Sequence, residues 1–142
     1  MNDYHKLTAE DAADLRGIVS PSRIFVGEEI EYDYHHDEMP DFGTYPPEIV
    51  IQAVSTEEIS AVMRYAWEKN IPVTPRGAGT GLAGGCVPIY GGIVLSLEKM
   101  NRILEWDLDN MTVVVEPGVL VMELANAAIE HGVFYPPEPG EK

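Results

Sequence analysis

The residues from Val73 to Cys86 form the stretch of this 142-residue chain with the clearest chemical potential. Seven of the 13 glycines lie between Gly77 and Gly92, and glycine lets a ligand approach the backbone closely. Successive N–H groups that face one way form an anion-binding nest. Arg76 is the only charged side chain in the range 71–96. A single cation beside a glycine nest, in an otherwise acidic protein, predicts a site for a diphosphate.

Two known phosphate-binding motifs do not explain this loop. A P-loop requires a lysine directly after its last glycine, and the chain has no lysine between Asn70 and Glu98. The spacing Gly79-x-Gly81-x-x-Gly84 matches the letters of a dinucleotide-binding fingerprint, which needs a helix that opens at the loop. The residues that follow oppose such a helix, since they include Gly85, Pro88, Gly91 and Gly92. A tight surface turn without a ligand is the alternative, although a loop so dense in glycine is unusual for a linker.

Regular elements on either side of the loop indicate how it is positioned. The β-branched run 49–54 predicts a buried strand, and Ser55 and Glu58 predict a capping box for an amphipathic helix that stops near Asn70. Residues 71–74 predict the second strand of a β-α-β unit, and residues 92–96 predict a third strand. The glycine loop therefore starts at the carboxyl end of a parallel strand, where open α/β sheets bind ligands.

The residues before this unit predict a helix and a connecting segment. Thr8 is the expected N-cap of a helix that ends near Ile18. Residues 25–42 are acidic, aromatic and poorly periodic, which indicates a connection with one short helical turn. The run His35-His36-Asp37 suggests a metal, but adjacent histidines point apart and no further ligand is suitably spaced. We therefore expect a solvated acidic loop there and no metal site.

The residues after the third strand predict a different kind of structure. Residues 103–107 and 111–116 flank a turn and predict an antiparallel hairpin, and the helix after it should close at His131-Gly132. We expect an α+β fold with a small parallel three-stranded sheet flanked by helices, followed by the start of an antiparallel second subdomain. The expected boundaries fall at residues 1–46, 47–101 and 102–142.

Composition excludes several classes of function. The chain has 24 acidic and nine basic residues, for a formal net charge of −15. A nucleic-acid-binding protein needs a basic face, and an anionic membrane surface would repel this chain. No apolar stretch approaches the length of about 18 residues that a membrane span needs. Cys86 is the only cysteine, so no internal disulfide forms, and without a signal peptide the sequence predicts a cytoplasmic protein.

Several segments of the chain resemble one known family. Residues 75–82 resemble the pyrophosphate loop of the FAD-linked oxidases of the vanillyl-alcohol oxidase and p-cresol methylhydroxylase type. Residues 47–54 and 92–103 resemble the first strand of that fold and its third strand with the following turn. Residues 110–119 and 134–140 are similar to those of glycolate oxidase flavoprotein subunits and D-lactate dehydrogenases. The resemblance is specific and covers most of the chain.

The resemblance implies FAD as the cofactor and a role for each matching residue. The backbone of residues 76–81 and the Thr80 hydroxyl would contact the FAD diphosphate, and Leu82 would lie near the flavin ring or the ribityl chain. Pro117-Gly118 would line the adenosine side, and Pro139-Gly140 would approach the flavin. The expected cofactor-binding residues are Pro75, Arg76, Gly77, Ala78, Gly79, Thr80, Gly81, Leu82, Pro117, Gly118, Pro139 and Gly140. No catalytic residue is expected among the 142.

The resemblance also implies a function for the longer enzyme. In relatives the chain continues into the rest of the second FAD subdomain and a substrate-binding cap. We therefore expect the N-terminal FAD-binding portion of a flavin-dependent oxidoreductase that acts on a small 2-hydroxy acid. On its own the chain should hold FAD weakly or not at all and should not be catalytic. The alternative is a stand-alone truncated module that acts as a binding or self-associating scaffold, as a homodimer or with a partner subunit.

Three further residues have less specific expectations. Some members of the broad family attach flavin to cysteine or histidine, so Cys86 near the loop raises that possibility, but a small buried apolar role is favoured. Trp67 and Trp106 are expected to be packing residues.

Overall fold

The computed structural model describes residues 3–136. The chain divides into two compact units, Met1–Lys99 and Met100–Lys142. Within the described residues, the first unit contains a four-stranded sheet and two α-helices, and the second contains a two-stranded hairpin and one α-helix. No helix between residues 3 and 136 is long and apolar enough to cross a membrane.

The sheet of the first unit has the order β1 (Ile24–Val26), β2 (Ile49–Gln52), β4 (Ile93–Ser96) and β3 (Val73–Arg76). Strands β2, β4 and β3 run parallel, and β1 pairs antiparallel with β2 at one edge. The apolar side chains of the two central strands are almost fully buried, as expected for a sheet covered on both faces. The predicted α+β fold with three parallel strands is confirmed. The sequence does not predict β1, because three residues are too few to show a strand period.

Helix α2 (Thr56–Lys69) connects β2 to β3 and begins where the sequence predicts. The Ser55 hydroxyl accepts a hydrogen bond from the Glu58 N–H at 3.2 Å. The Glu58 carboxylate does not close the expected capping box on Ser55, because it accepts from the Val54 N–H and pairs with Arg23. The Arg23 guanidinium holds the pKa of Glu58 below its ordinary value, against the effect of burial. This ion pair ties the residue before β1 to the start of the helix.

Strand β3 lies two residues further along the chain than the sequence predicts, at 73–76 rather than 71–74. The shift follows from the sheet, because these four residues pair in parallel with the whole of β4. Pro75 has no N–H to donate and is tolerated because β3 is an edge strand. Pro75 and Arg76 therefore belong to the strand, and the loop begins at Gly77.

Helix α1 (Ala9–Ile18) packs on α2 and is anchored through one buried carboxylate. Thr8 is the N-cap as predicted, and its N–H and hydroxyl donate to Asp11 at 2.8 and 2.6 Å. His5 Nε2 lies 2.8 Å from the same carboxylate, and the Tyr65 hydroxyl donates to it at 2.7 Å. Burial raises the pKa of Asp11, but these hydrogen bonds outweigh burial and hold the pKa well below its ordinary value.

The second unit begins with the predicted antiparallel hairpin, β5 (Ile103–Asp107) and β6 (Thr112–Val115). Met111 adopts a φ of 54° in the turn between them. Helix α3 (Val121–Glu130) follows, with His131 at its C-cap as predicted. The next residue, Gly132, has a φ of 74°, so glycine suits the left-handed end of this helix.

The two tryptophans differ in their surroundings. Trp67 is 87% exposed on α2, because the buried side of that helix is formed by Val62 and Ala66, so the prediction that Trp67 is a packing residue is wrong. Trp106 on β5 is half-buried, and its ring centroid lies 4.4 Å from that of His131. Trp106 is therefore a packing residue, as predicted.

Candidate functional site

The glycine loop begins at the carboxyl end of β3 and leads to β4, the strand next to β3 in the sheet. Gly79 and Gly84 have φ angles of 81° and 72°, in the left-handed region that residues with a side chain rarely adopt. The N–H groups of Gly77, Ala78, Gly79 and Thr80 donate to no other group within residues 3–136. Four successive donors without a protein partner, one of them on the buried Gly79, fit the predicted anion nest.

The Arg76 side chain lies beneath this loop and is only 6% exposed. Its Nη1 donates to the His36 carbonyl at 2.7 Å and lies 3.4 Å from Cys86 Sγ. A Cβ at position 79 would overlap the guanidinium, so Gly79 is required by this arginine as well as by its own φ angle. The sequence places a cation beside the nest, and the structure places it below the nest, where protein groups engage its side chain.

A polar cluster fixes the aromatic ring on which Arg76 lies. The Arg76 guanidinium carbon is 5.6 Å from the centroid of the Tyr34 ring. The Tyr34 hydroxyl donates to Glu98 Oε1 at 2.7 Å and accepts from Gln52 Nε2 at 3.1 Å. Burial raises the pKa of Tyr34, and the neighbouring Glu98 adds to this effect, so the phenol remains a neutral donor. The face of this ring makes a favourable cation–π contact with the Arg76 guanidinium.

Residues 34–42 of the acidic segment cover the glycine loop and are called the clasp below. The Asp37 carboxylate is buried and accepts from the Gly84 N–H at 2.8 Å and from the Met39 N–H at 3.0 Å. The Glu38 N–H donates to the Gly81 carbonyl at 3.2 Å. The prediction of a solvated acidic loop is therefore wrong for Asp37. No local signal marks this residue, because its partner Gly84 is 47 positions away in the sequence.

The other predicted cofactor-binding residues lie in both units. Leu82 is on the loop and is 57% exposed, so its side chain is available to a ligand. Pro117 and Gly118 follow β6 in the second unit, where the Gly118 N–H donates to the Met100 carbonyl at 2.8 Å. The remaining two, Pro139 and Gly140, lie outside the described residues.

The histidines and the cysteine near the loop do not form a metal cluster. Within residues 3–136, no group of three or more His, Cys, Asp or Glu side chains could hold a metal ion. His36 meets Arg76 through its backbone carbonyl, and its Nδ1 lies 2.9 Å from the Asp37 carbonyl. Burial lowers the pKa of His35, and the neighbouring His36 adds to this effect. Cys86 is a free, half-buried thiol whose Sγ lies 3.4 Å from Arg76 Nη1, so the expected buried apolar role is met only in part, and attachment to flavin stays the less favoured alternative.

These features together fit an anionic ligand such as the predicted diphosphate. The described loop offers several backbone donors, and a buried guanidinium raises the local potential. That local potential matters because the chain as a whole carries a net charge of −15, which repels anions. A neutral ligand would gain less from these donors, because hydrogen bonds to a charged acceptor are about twice as strong as those to a neutral one.

The fold and the loop define a class of flavoprotein. The structure of p-cresol methylhydroxylase with bound substrate covers 86% of this chain at a TM-score of 0.74 and 24% identity, and the match spans 24% of that protein. At this identity the match shows the fold alone, and it is the fold that the sequence predicts. The chain belongs to the FAD binding domain family, whose model matches residues 47–142. FAD is therefore confirmed as the cofactor of the family.

Curated relatives that this chain is similar to include two oxidoreductases. The D-lactate dehydrogenase of Anaerostipes hadrus is 48% identical over 139 residues, which is 98% of this chain and 29% of that enzyme. The glycolate oxidase subunit GlcD of Bacillus subtilis (strain 168) is 42% identical over 106 residues, which is 75% of this chain and 22% of that subunit. The chain thus spans less than a third of the length of these relatives.

Proposed function

We propose that this chain is the N-terminal FAD-binding portion of a flavin-dependent 2-hydroxy-acid oxidoreductase with a substrate such as D-lactate or glycolate. The observation that carries the proposal is the row of backbone donors at Gly77 to Thr80, which have no protein partner among residues 3–136. The substrate class rests on the names of the relatives, a D-lactate dehydrogenase and a glycolate oxidase subunit. When bound, FAD supplies the acceptor for the two electrons that leave the hydroxy acid.

The residues of this chain would bind and orient the cofactor. Within the expected range 76–81, the N–H groups of Gly77 to Thr80 and the Thr80 hydroxyl would donate to the diphosphate, where each charge-assisted hydrogen bond contributes about 1.5–3 kcal/mol. The exposed Leu82 would cover the ribityl chain or the flavin edge. The same proposal assigns the adenosine side to Pro117-Gly118 and the approach to the flavin to Pro139-Gly140.

On its own, the 142-residue chain is expected to bind FAD weakly and to leave D-lactate and glycolate unoxidised. The physical reason is that a chain spanning less than a third of its relatives supplies only part of the contacts that hold the cofactor. The measurement is absorbance at the flavin bands after excess FAD is added and then removed by gel filtration, together with a dye-reduction assay. A stable stoichiometric yellow complex, or turnover of either acid, would contradict this expectation.

A self-associating module is the second candidate, and one feature of the second unit favours it. Hairpin residues such as Leu104 and Val114 are 53% and 50% exposed, and exposed apolar strands favour pairing with another chain. The mass of the chain in solution separates the two candidates. A dimer without FAD affinity would support the scaffold, and a monomer with saturable FAD binding would support the cofactor-binding portion.

A further inference from the structure

The clasp and the glycine loop hold one another at several points. The Arg76 guanidinium donates a hydrogen bond to the His36 carbonyl in the clasp. In the other direction, the Asp37 carboxylate of the clasp accepts a hydrogen bond from the Gly84 N–H in the loop. The Glu38 N–H donates to the Gly81 carbonyl between these two contacts. A Cβ at position 84 would lie 3.1 Å from the ring of the clasp residue at position 42, so the loop backbone is in close contact with that ring.

The Asp37 carboxylate is costly to bury and therefore calls for an explanation. It is 4% exposed, and no lysine or arginine within residues 3–136 approaches it within 4 Å. Its two oxygens are stabilised instead by the N–H groups of Met39 and Gly84. A buried carboxylate held only by backbone donors fixes the position of those donors more strictly than a neutral acceptor would.

The position of Asp37 shows whether its carboxylate holds the loop in place or competes with an anionic ligand for the nest. An acidic side chain inside an anion-binding loop could occupy the place of the ligand. Asp37, however, engages Gly84, which lies beyond the row of donors from Gly77 to Thr80. Those four N–H groups donate to no group in the described part of the chain, so the carboxylate leaves the nest open.

We propose that Asp37 is a positioning residue that holds the 81–84 part of the loop in its binding conformation before the cofactor diphosphate arrives. The inference rests on the proposed function, because it concerns the same loop. A loop that is already ordered does not lose conformational freedom on binding, and the apparent dissociation constant scales inversely with the competent fraction of the free protein. If Asp37 is removed, that fraction falls and the affinity falls with it.

The test compares Asp37→Asn with Asp33→Asn, a matched control that removes the same charge from an exposed position of the same segment. Amide hydrogen exchange of the free protein, read by NMR, should show faster exchange at Gly84 in Asp37→Asn and unchanged exchange at Val94 in β4. FAD binding, measured by titrating the protein into FAD and following flavin fluorescence, should weaken about tenfold, as for a tenfold lower competent fraction. Asp33→Asn should match the wild-type chain in both measurements.

The outcomes separate this inference from the proposed function. If the wild-type chain binds FAD and Asp37→Asn binds equally well or more tightly, the positioning role is overturned and the cofactor site stands. If the exchange change appears but the wild-type chain shows no FAD binding, the positioning of the loop stands and the proposed binding of FAD by this chain fails. Should Asp37→Asn unfold, the wild-type chain still decides the matter. Its Gly84 amide must exchange more slowly than that of Gly85, and equal rates would contradict the inference.

Discussion

Gly79→Ala is expected to weaken FAD binding at least tenfold and to lower the free energy of unfolding by about 2–5 kcal/mol. The left-handed conformation at position 79 costs a residue with a Cβ about 1–2 kcal/mol. The new methyl group would also overlap the buried Arg76 guanidinium, and displacing that group costs about 1–3 kcal/mol. The loop would have to move to relieve the overlap, which misplaces the donors of the nest.

The measurements for Gly79→Ala are urea denaturation and titration of the protein into FAD. Gly85→Ala is the matched control, because Gly85 has no positive φ and a Cβ there would meet no atom within 4 Å. The control should stay within about 0.5 kcal/mol of the wild-type stability. The account of the loop would be wrong if both variants bound FAD as the wild-type chain does.

Asp11→Ala is expected to lower the free energy of unfolding by about 1–3 kcal/mol at neutral pH. The substitution removes a buried carboxylate, leaves the Thr8 N–H and hydroxyl without their acceptor and leaves Tyr65 with only its longer bond to Asp14. Since the folded pKa lies below the ordinary value, the contribution of Asp11 is fully present above the unfolded pKa of about 3.9. It is lost as the pH falls from there towards the folded pKa.

The effect of Asp11→Ala on stability should depend on pH, and this dependence tests the assigned hydrogen bonds most clearly. The difference in stability between the wild-type chain and Asp11→Ala should shrink as the pH falls below about 4. Urea denaturation as a function of pH measures it, with Glu10→Ala as the control at the exposed neighbouring position. A difference that grows as the pH falls would contradict the assigned hydrogen bonds.

The parts of the fold that the sequence predicts are those with a local signal. Residues 49–51 are β-branched, Ser55 caps the next helix, and Asn70 ends that helix at a φ of 55°. The glycines of the loop are visible one by one in the sequence. The parallel order of the strands then follows from the length of the helical connection, which places the loop at the carboxyl edge of the sheet.

The contacts that hold the glycine loop against the clasp could not be predicted, because they join residues that are far apart in the sequence. Arg76 and His36 are 40 positions apart, and Asp37 and Gly84 are 47 apart. Neither pair has a spacing that a helix or a strand would impose. The sequence shows that Arg76 is the only nearby cation. It does not show that the side chain is buried and hydrogen-bonded to the clasp. It shows Asp37 only as one carboxylate in an acidic segment.

The central claim is that the backbone of residues 77–80 binds the diphosphate of FAD. Its most direct test is an NMR titration of the ¹⁵N-labelled chain with FAD, with ADP and with riboflavin, which lacks the diphosphate. We expect saturable downfield shifts of the Ala78, Gly79 and Thr80 amide protons with FAD and with ADP, and none with riboflavin. Unchanged loop amides at saturating FAD, or equal shifts with riboflavin, would contradict it.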